Sequence, residues 1–431
     1  MRLARARARL SEPVDAASLG AFRALLGVVL LVSIVRALDK GVVAQGFVAP
    51  TFFFPYYGLG WLPAPGTFAY VVYGALAILG VCLTLGVYAR VAAALFGLGF
   101  SYLHFVDVTH YLNHYYLVAL LLLLLAALPT GRALALWPRG GADVAPAWVL
   151  LVLRAQVGLV YFFGGIAKLK HDWLVWGEPL GTWLAASTEI PLVGPLFALQ
   201  RAPLAMSWLG AAYDLSIPLW LSLRRTRPYA YAAVVVFHVL TARLFNIGIF
   251  PYLMMAGSTL FFAPAWPRRL LGTRPAQPAA VVPLSRAWAA ALACYLGLQV
   301  VVPLRHLAYP GNVLWTEQGY RFAWHVMLIE KTGSAEFRLV DRASGATWTV
   351  FPRAILTRAQ DKAMATQPDM ILAFAHELAR RERAKGRDVA VYADVWVTLN
   401  GRAPARLIDP NVDLALERDG FAPKRWITVG P

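Results

Sequence analysis

Long apolar windows alternate with short polar connections through the first three-quarters of the chain. They run from Leu19 to Ala37, Phe68 to Val87, Val91 to Phe105, Tyr115 to Leu128, Val149 to Lys168, Leu204 to Leu223, Tyr229 to Phe245, Ile249 to Phe262 and Trp288 to Leu304. A helix of about 20 residues, at roughly 1.5 Å each, matches the hydrocarbon thickness of a bilayer, so the pattern predicts about nine transmembrane helices. The third, fourth and eighth windows are short for that role.

After Leu304 the periodicity changes. Alternating runs at Phe337 to Val340, Thr347 to Phe351 and Val389 to Thr398 predict strands, and Met370 to Lys385 predicts an amphipathic helix. Ser344-Gly345 and Asn400-Gly401 are hairpin-turn signals. The expected architecture is a polytopic α-helical membrane domain, residues 1–304, followed by an extracytoplasmic α+β domain, residues 305–431, that caps the outer face.

Composition agrees with a membrane protein. Of 431 residues, 59% are hydrophobic and only 15% charged. A net charge of +17 would suit nucleic acid, but the arginines sit in short loops, where they set orientation. With Arg2, Arg5, Arg7 and Arg9 cytoplasmic, alternation puts Arg90, Arg132, Arg139, Arg224, Arg225, Arg227, Arg268, Arg269, Arg274 and Arg286 on the same side. Only Lys40, Lys168, Lys170, Arg201 and Arg243 fall opposite, which supports an odd number of spans. The N-terminal stretch lacks a cleavage site and reads as a retained cytoplasmic flank of an integral membrane protein. Cys82 and Cys294 lie in apolar segments and form no redox or metal motif.

The same alternation brings Asp107, His110, Asn113, His114, Lys168, His171, Asp172 and Arg243 to the outer face, with His238 on an outward-running helix. Arg154, Tyr161 and Lys168 recur every seven residues, which places them on one helix face. Of these, only Lys168 is near the outer rim. An ordinary lysine, with a pKa of about 10.4, is almost wholly protonated at neutral pH and must be desolvated to act as a base. The long apolar connection from Leu174 to Pro203 is expected to lie along the interface or to re-enter, and to shield such a site. Asp214 sits mid-span, so it requires a partner, and Arg154 or Arg23 is expected to supply a structural ion pair.

Several stretches carry a family resemblance: Phe22-Arg23, Asn113-His114 with Tyr116-Leu117, Leu153-Arg154 with Gln156, Tyr161-Phe162, and Gly165 with Lys168-Leu169 and Asp172-Trp173. Phe237-His238, Ile247-Gly248, Trp266-Pro267-Arg268, Trp315-Thr316, Tyr320, Trp324 and Asp409-Pro410 continue it. In order and spacing these resemble the vitamin K-dependent γ-glutamyl carboxylases, from about Pro13 to Asp413. The resemblance implies an enzyme that uses reduced vitamin K, O2 and CO2, without a metal, to carboxylate glutamate side chains of a bound peptide or protein while the quinol becomes an epoxide. In that mechanism a lysine amine deprotonates the hydroquinone, and by motif position the lysine is Lys168. The family's histidine beside asparagine falls on His114. Asn113, Asp107, Tyr161, Asp172 and His238 are then supporting residues, and Trp315, Tyr320 and Trp324 line the glutamate or peptide site. Lys168 and His114 are expected to share one dry chamber.

The chain departs from vertebrate members in ending at Pro431, and the first of two adjacent family lysines is Ala167. Its Arg- and Ala-rich composition points to a high-GC bacterium, hence to an inner-membrane location and to menaquinol rather than phylloquinol. Each residue also has a plainer reading: Lys168 as a snorkelling helix-end lysine, His238 as a packing histidine, the tryptophans as core. Two rival functions stand beside carboxylation, a quinol epoxidase that fixes no CO2 and a non-enzymatic transporter or scaffold.

Overall fold

The computed structural model describes residues 8–130, 133–137, 143–191, 193–277 and 279–430. Arg2, Arg5, Arg7, Arg132 and Arg139, used above for orientation, lie outside the described residues. A short strand β1 (Pro13–Asp15) leads into helix α1 (Ala17–Asp39), followed by α2 (Phe68–Leu85), α3 (Ala89–Phe105) and α4 (Asn113–Ala127). Strand β2 (Val144–Pro146) pairs antiparallel with β1 and opens α5 (Ala147–Ala167). Two short helices, α6 (Leu180–Ala185) and α7 (Gly194–Phe197), precede α8 (Ala202–Ser222), α9 (Arg227–Leu244), α10 (Phe250–Ser258), α11 (Trp266–Leu271) and α12 (Arg286–Leu304).

Four of these helices, α1, α2, α5 and α12 with its 3-10 extension, are long and apolar enough to cross a membrane, and α3 and α4 are shorter apolar helices. The lipid-facing surface follows from periodicity. On α1, Leu25, Val28, Val32 and Val35 are exposed while Leu19, Phe22, Leu26 and Leu30 are buried.

The window from Ile249 to Phe262 differs from its expectation of a single spanning helix. Its α-helix covers only nine residues and gives way to a 3-10 turn at Thr259–Phe261. Even so, this segment runs from beside His114, near Gly248, to Pro264, whose carbonyl accepts a hydrogen bond from Ser18 N at 3.0 Å at the opposite face. Leu253, Met254, Ser258 and Leu260 are buried, so protein rather than lipid surrounds the irregular backbone, and Arg154 satisfies its free carbonyls.

Arg23, which is buried, and Arg154, which is half-buried, work as carbonyl clamps. Arg23 donates to Leu83 O and Leu134 O, each at 2.6 Å, and Arg154 donates to Leu260 O at 2.7 Å and Phe262 O at 2.9 Å. Carbonyls at or near helix ends lack intrahelical partners and carry partial negative charge, so a guanidinium is stabilised there without any carboxylate. The expected ion pair of Asp214 with Arg154 or Arg23 is therefore corrected: neither arginine pairs with it, and its cation is Lys168.

Beyond α12, a one-turn helix α13 (Val313–Thr316) leads into strands β3 (Lys331–Asp341) and β4 (Thr347–Val350), helices α14 (Arg358–Met364) and α15 (Pro368–Arg383), and strands β5 (Val389–Leu399) and β6 (Ala405–Arg406). The sheet order is β4-β3-β5-β6, all antiparallel. Alternation puts Phe337, Leu339, Val391 and Val395 on the buried face, where α15 covers them and Phe374 meets Phe337 edge-on at 5.0 Å.

This core is continuous with Phe54, Val108, Trp173, Leu180 and Leu184 of the helical part, so the domain is docked. Two polar ties reinforce the docking. Asp172 accepts from Arg402 at 2.6 Å and from Asn400 at 2.8 Å, and Asp107 accepts from Gln360 Nε2 at 3.0 Å.

Candidate active site

An apolar helix that carries a lysine at its end leaves the amine two choices: reach outward to water or turn inward to a partner. Lys168 ends α5, and its Nζ turns back to donate to Gly164 O at 3.3 Å and to Asp214 Oδ2 at 2.7 Å. Lys168 is 5% and Asp214 8% exposed, so this is a dry ion pair rather than a snorkelling side chain. The ring of Trp173 lies 5.3 Å from Nζ and adds a cation–π face.

The pair depends on how closely α5 and α8 approach. A Cβ at Gly165 would stand 2.9 Å from Leu215 N and 2.7 Å from Leu215 Cγ. Only glycine lets the backbone of α8 come near enough to present Asp214.

Lys168 and Asp214 face an apolar chamber of about 90 Å³, walled by Val160, Phe237, Phe245, Phe250 and Met254. Trp173 and Leu180, from the long connection after α5, help to close it. Tyr161 and His238 also line it. Tyr161 Oη lies 3.0 Å from His238 Nε2 and 3.2 Å from Ser258 Oγ. His238 Nδ1 is buried and has no hydrogen-bond partner among the described residues. A polar ring held by one nitrogen, with the other unmatched beside an apolar cavity, is suited to meeting a polar group of a ligand.

His114 is not among the chamber's lining residues, which corrects the expectation that it shares one space with Lys168. Its ring stands 6.0 Å from that of Phe250, which does line the chamber. Gly248, with φ of +62°, passes directly over the imidazole: a Cβ there would sit 3.3 Å from His114 Nε2. The register of the α9–α10 connection thus inserts Ile247 and Phe250 between histidine and cavity.

Asn113 connects this region to the following domain. Its Nδ2 donates to His325 O at 3.0 Å, and its Oδ1 accepts from Tyr111 Oη at 2.9 Å. Tyr320 Oη donates to the same carbonyl at 3.1 Å and stacks on the His325 ring. The strap they hold is strained, with Phe322, Trp324 and Met327 all at φ near +60° although none is glycine. Val326 and Met327 line the chamber on one side, while Tyr320, Arg321 and Phe322 line a larger cavity of about 540 Å³ on the other.

The remaining expected residues are structural in position. Trp315 is buried in the domain core and donates Nε1–H to Thr428 O at 3.1 Å. Trp324 stacks on Tyr116 with centroids 5.0 Å apart. Asp107 and Asp172 serve the docking ties. Burial alone would raise the Asp172 carboxyl, but hydrogen bonds from Arg402 and Asn400 outweigh it and hold the group below its ordinary value.

His325 escaped the sequence reading. Its ring is buried, and burial drives its pKa down to about 3, so it is neutral. The Lys168–Asp214 partnership was also missed, although a signal existed: a lysine and an aspartate that are both costly in apolar helices stabilise each other most by meeting.

No solved structure matches the chain. Two family models do: one described as HTTM domain over residues 11–266, and one described as vitamin K-dependent gamma-carboxylase, lumenal domain, over residues 284–430. The first spans the helices that build the chamber, and the second spans the strand-containing domain docked over it, which is thereby a lumenal domain of a membrane protein. With the two matched in succession along one polypeptide, this chain belongs to the vitamin K-dependent gamma-carboxylase family.

Proposed function

We propose that the protein couples oxidation of a reduced vitamin K quinol to γ-carboxylation of glutamate in a peptide or protein, with the Lys168–Asp214 pair as the base. The observation that carries this reading is that pair, dry and facing an apolar chamber. The chamber's residues fit such a group: phenylalanines and Met254 suit a fused aromatic ring, and Lys168 and the unmatched nitrogen of His238 suit its oxygens. When bound, the quinol supplies the reducing equivalents and, with O2, the strong base that glutamate deprotonation needs.

The side chains have distinct tasks. Asp214 gives Lys168 a place to leave its proton: an amine beside a carboxylic acid carries no net charge and costs less in a dry site than separated ions. With the quinol bound, the Lys168 amine would be the group placed to accept a proton at Nζ, and the ammonium so formed would remain in the chamber as a counter-charge. Tyr161 fixes the His238 ring, and Trp173 with Leu180 excludes water that would quench a strong base. His114, one ring behind, acts through Phe250 and Gly248 as a positioning residue. The glutamate substrate is received from the 540 Å³ cavity on the lumenal side of the strap.

This reading takes the N-terminus as cytoplasmic, the nine apolar segments as membrane crossings and the boundary at residues 304–305 as the domain division. The test is a joint measurement on purified protein given menaquinol, labelled bicarbonate and a Glu-rich peptide. Wild type is expected to form epoxide and fix label, and Lys168→Ala to do neither. Label fixation that persists in the variant sinks the proposal.

A further inference from the structure

A third cavity, of about 280 Å³, opens between the C-terminal ends of α1 and α3 and the N-terminal ends of α2 and α4. Its rim carries Arg36, Lys40 and His110, and its wall descends through Ile34, Tyr73, Leu76, Phe100 and Leu103. Arg36 occupies the last turn of α1, and Leu76 lies eight residues into α2, so the wall reaches about 12 Å below the rim. Among the described residues neither Arg36 nor Lys40 has an acidic side chain within 4.0 Å. The nearby carboxylate of Asp107 is engaged by Thr109 N at 2.8 Å and Gln360 Nε2 at 3.0 Å, and Asp39 is exposed and does not line the cavity. The His110 Nε2 lies 3.2 Å from Gly46 O, and Arg36 and Lys40 are the cations among the lining residues, which include no carboxylate.

We propose that this cavity binds the anionic phosphate headgroup of an amphiphile, with an acyl chain along the Leu76 and Phe100 wall. An unpaired guanidinium above an apolar slot at the membrane boundary matches a phosphate joined to a chain. Neither group suits a zwitterionic headgroup as well, since choline would set a like charge against Lys40. The site is separate from the quinol chamber, yet Gly248 and Ile249 line this cavity and Ile247 lines the chamber. The two spaces therefore share one short wall.

Native mass spectrometry of the full chain in neutral detergent tests this, with phosphatidylglycerol or phosphatidylcholine added. One phosphatidylglycerol is expected to be retained in preference to phosphatidylcholine. Retention should weaken about thirty-fold in Arg36→Gln/Lys40→Gln and about five-fold in Lys40→Gln, whose exposed position leaves folding intact. Displacement by millimolar inorganic phosphate would identify a free anion as the source; resistance to it would identify the lipid. Equal retention of the two lipids, or full retention of phosphatidylglycerol by both variants, overturns the proposal.

Discussion

Lys168 and Asp214, 46 residues apart and on different helices, meet at 2.7 Å with the lysine's second hydrogen bond going to a carbonyl of its own helix. Each is the reason the other is tolerated. Removing one partner of a buried pair strands a charge, typically at a cost of about 3–5 kcal/mol. Asp214→Leu is therefore expected to lower the thermal midpoint in detergent sharply, and Lys168→Met/Asp214→Leu to recover most of the loss. If Asp214→Leu melts like wild type, the pair contributes nothing to folding.

Asp214→Asn keeps the shape of the side chain and removes its charge. The amide still accepts the lysine's hydrogen bond but holds no proton for it. Epoxide formation per folded molecule is expected to fall by roughly 10²–10⁴-fold, the range for loss of a general base. Near-normal turnover of this variant would show that Lys168 works alone.

Gly165→Ala pushes α8 away, because the new methyl meets Leu215 N at 2.9 Å. Overpacking of this kind costs about 1–3 kcal/mol. The activity loss should exceed the stability loss, since the displaced helix carries Asp214. Parallel melting and epoxidation measurements check this order.

Tyr161→Phe removes the hydroxyl 3.0 Å from His238 Nε2 and leaves a buried imidazole without a partner. A cost of about 1–3 kcal/mol is expected, together with a higher KM for menaquinol, because the ring that meets the ligand is no longer fixed. An unchanged KM would assign Tyr161 and His238 to packing.

Docking of the lumenal domain should be acid-sensitive through Asp172. Its carboxyl is held below the ordinary value, so its contribution is complete above the unfolded-state pKa of about 3.9 and is lost as pH falls through the lower folded value. Limited proteolysis between the helical part and the lumenal domain should be unchanged from pH 8 to pH 5 and accelerate only below about pH 4. Arg402→Ala should move that onset upward.

Hydrophobic periodicity located the helices of the membrane part because lipid and protein core both select apolar side chains, and these recur on helical faces. It misjudged Ile249 to Phe262, since a segment surrounded by protein needs no full-length helix. In the lumenal domain, the alternation at Phe337 and Leu339 revealed β3, but the strand begins six residues earlier, where Lys331 to Glu336 have no apolar face long enough to recognise. The site was legible in Lys168, the residue in the wrong solvent, and less so in its partner. Asp214 was noticed as costly, yet which cation reaches it depends on the α5–α8 crossing, and that crossing is set by a missing side chain at Gly165. His114 and the chamber were placed together because loop register between α9 and α10 leaves no trace in composition.

The strap from Tyr320 to Met327 has a kinetic implication. On the proposed reading, a partition a few residues thick lets the greasy body of the quinol stay in oil and the body of the peptide in water, so that only their reacting ends have to meet. Saturation by quinol and by peptide should then be mutually independent, and an inhibitor that mimics one should leave the apparent affinity for the other untouched.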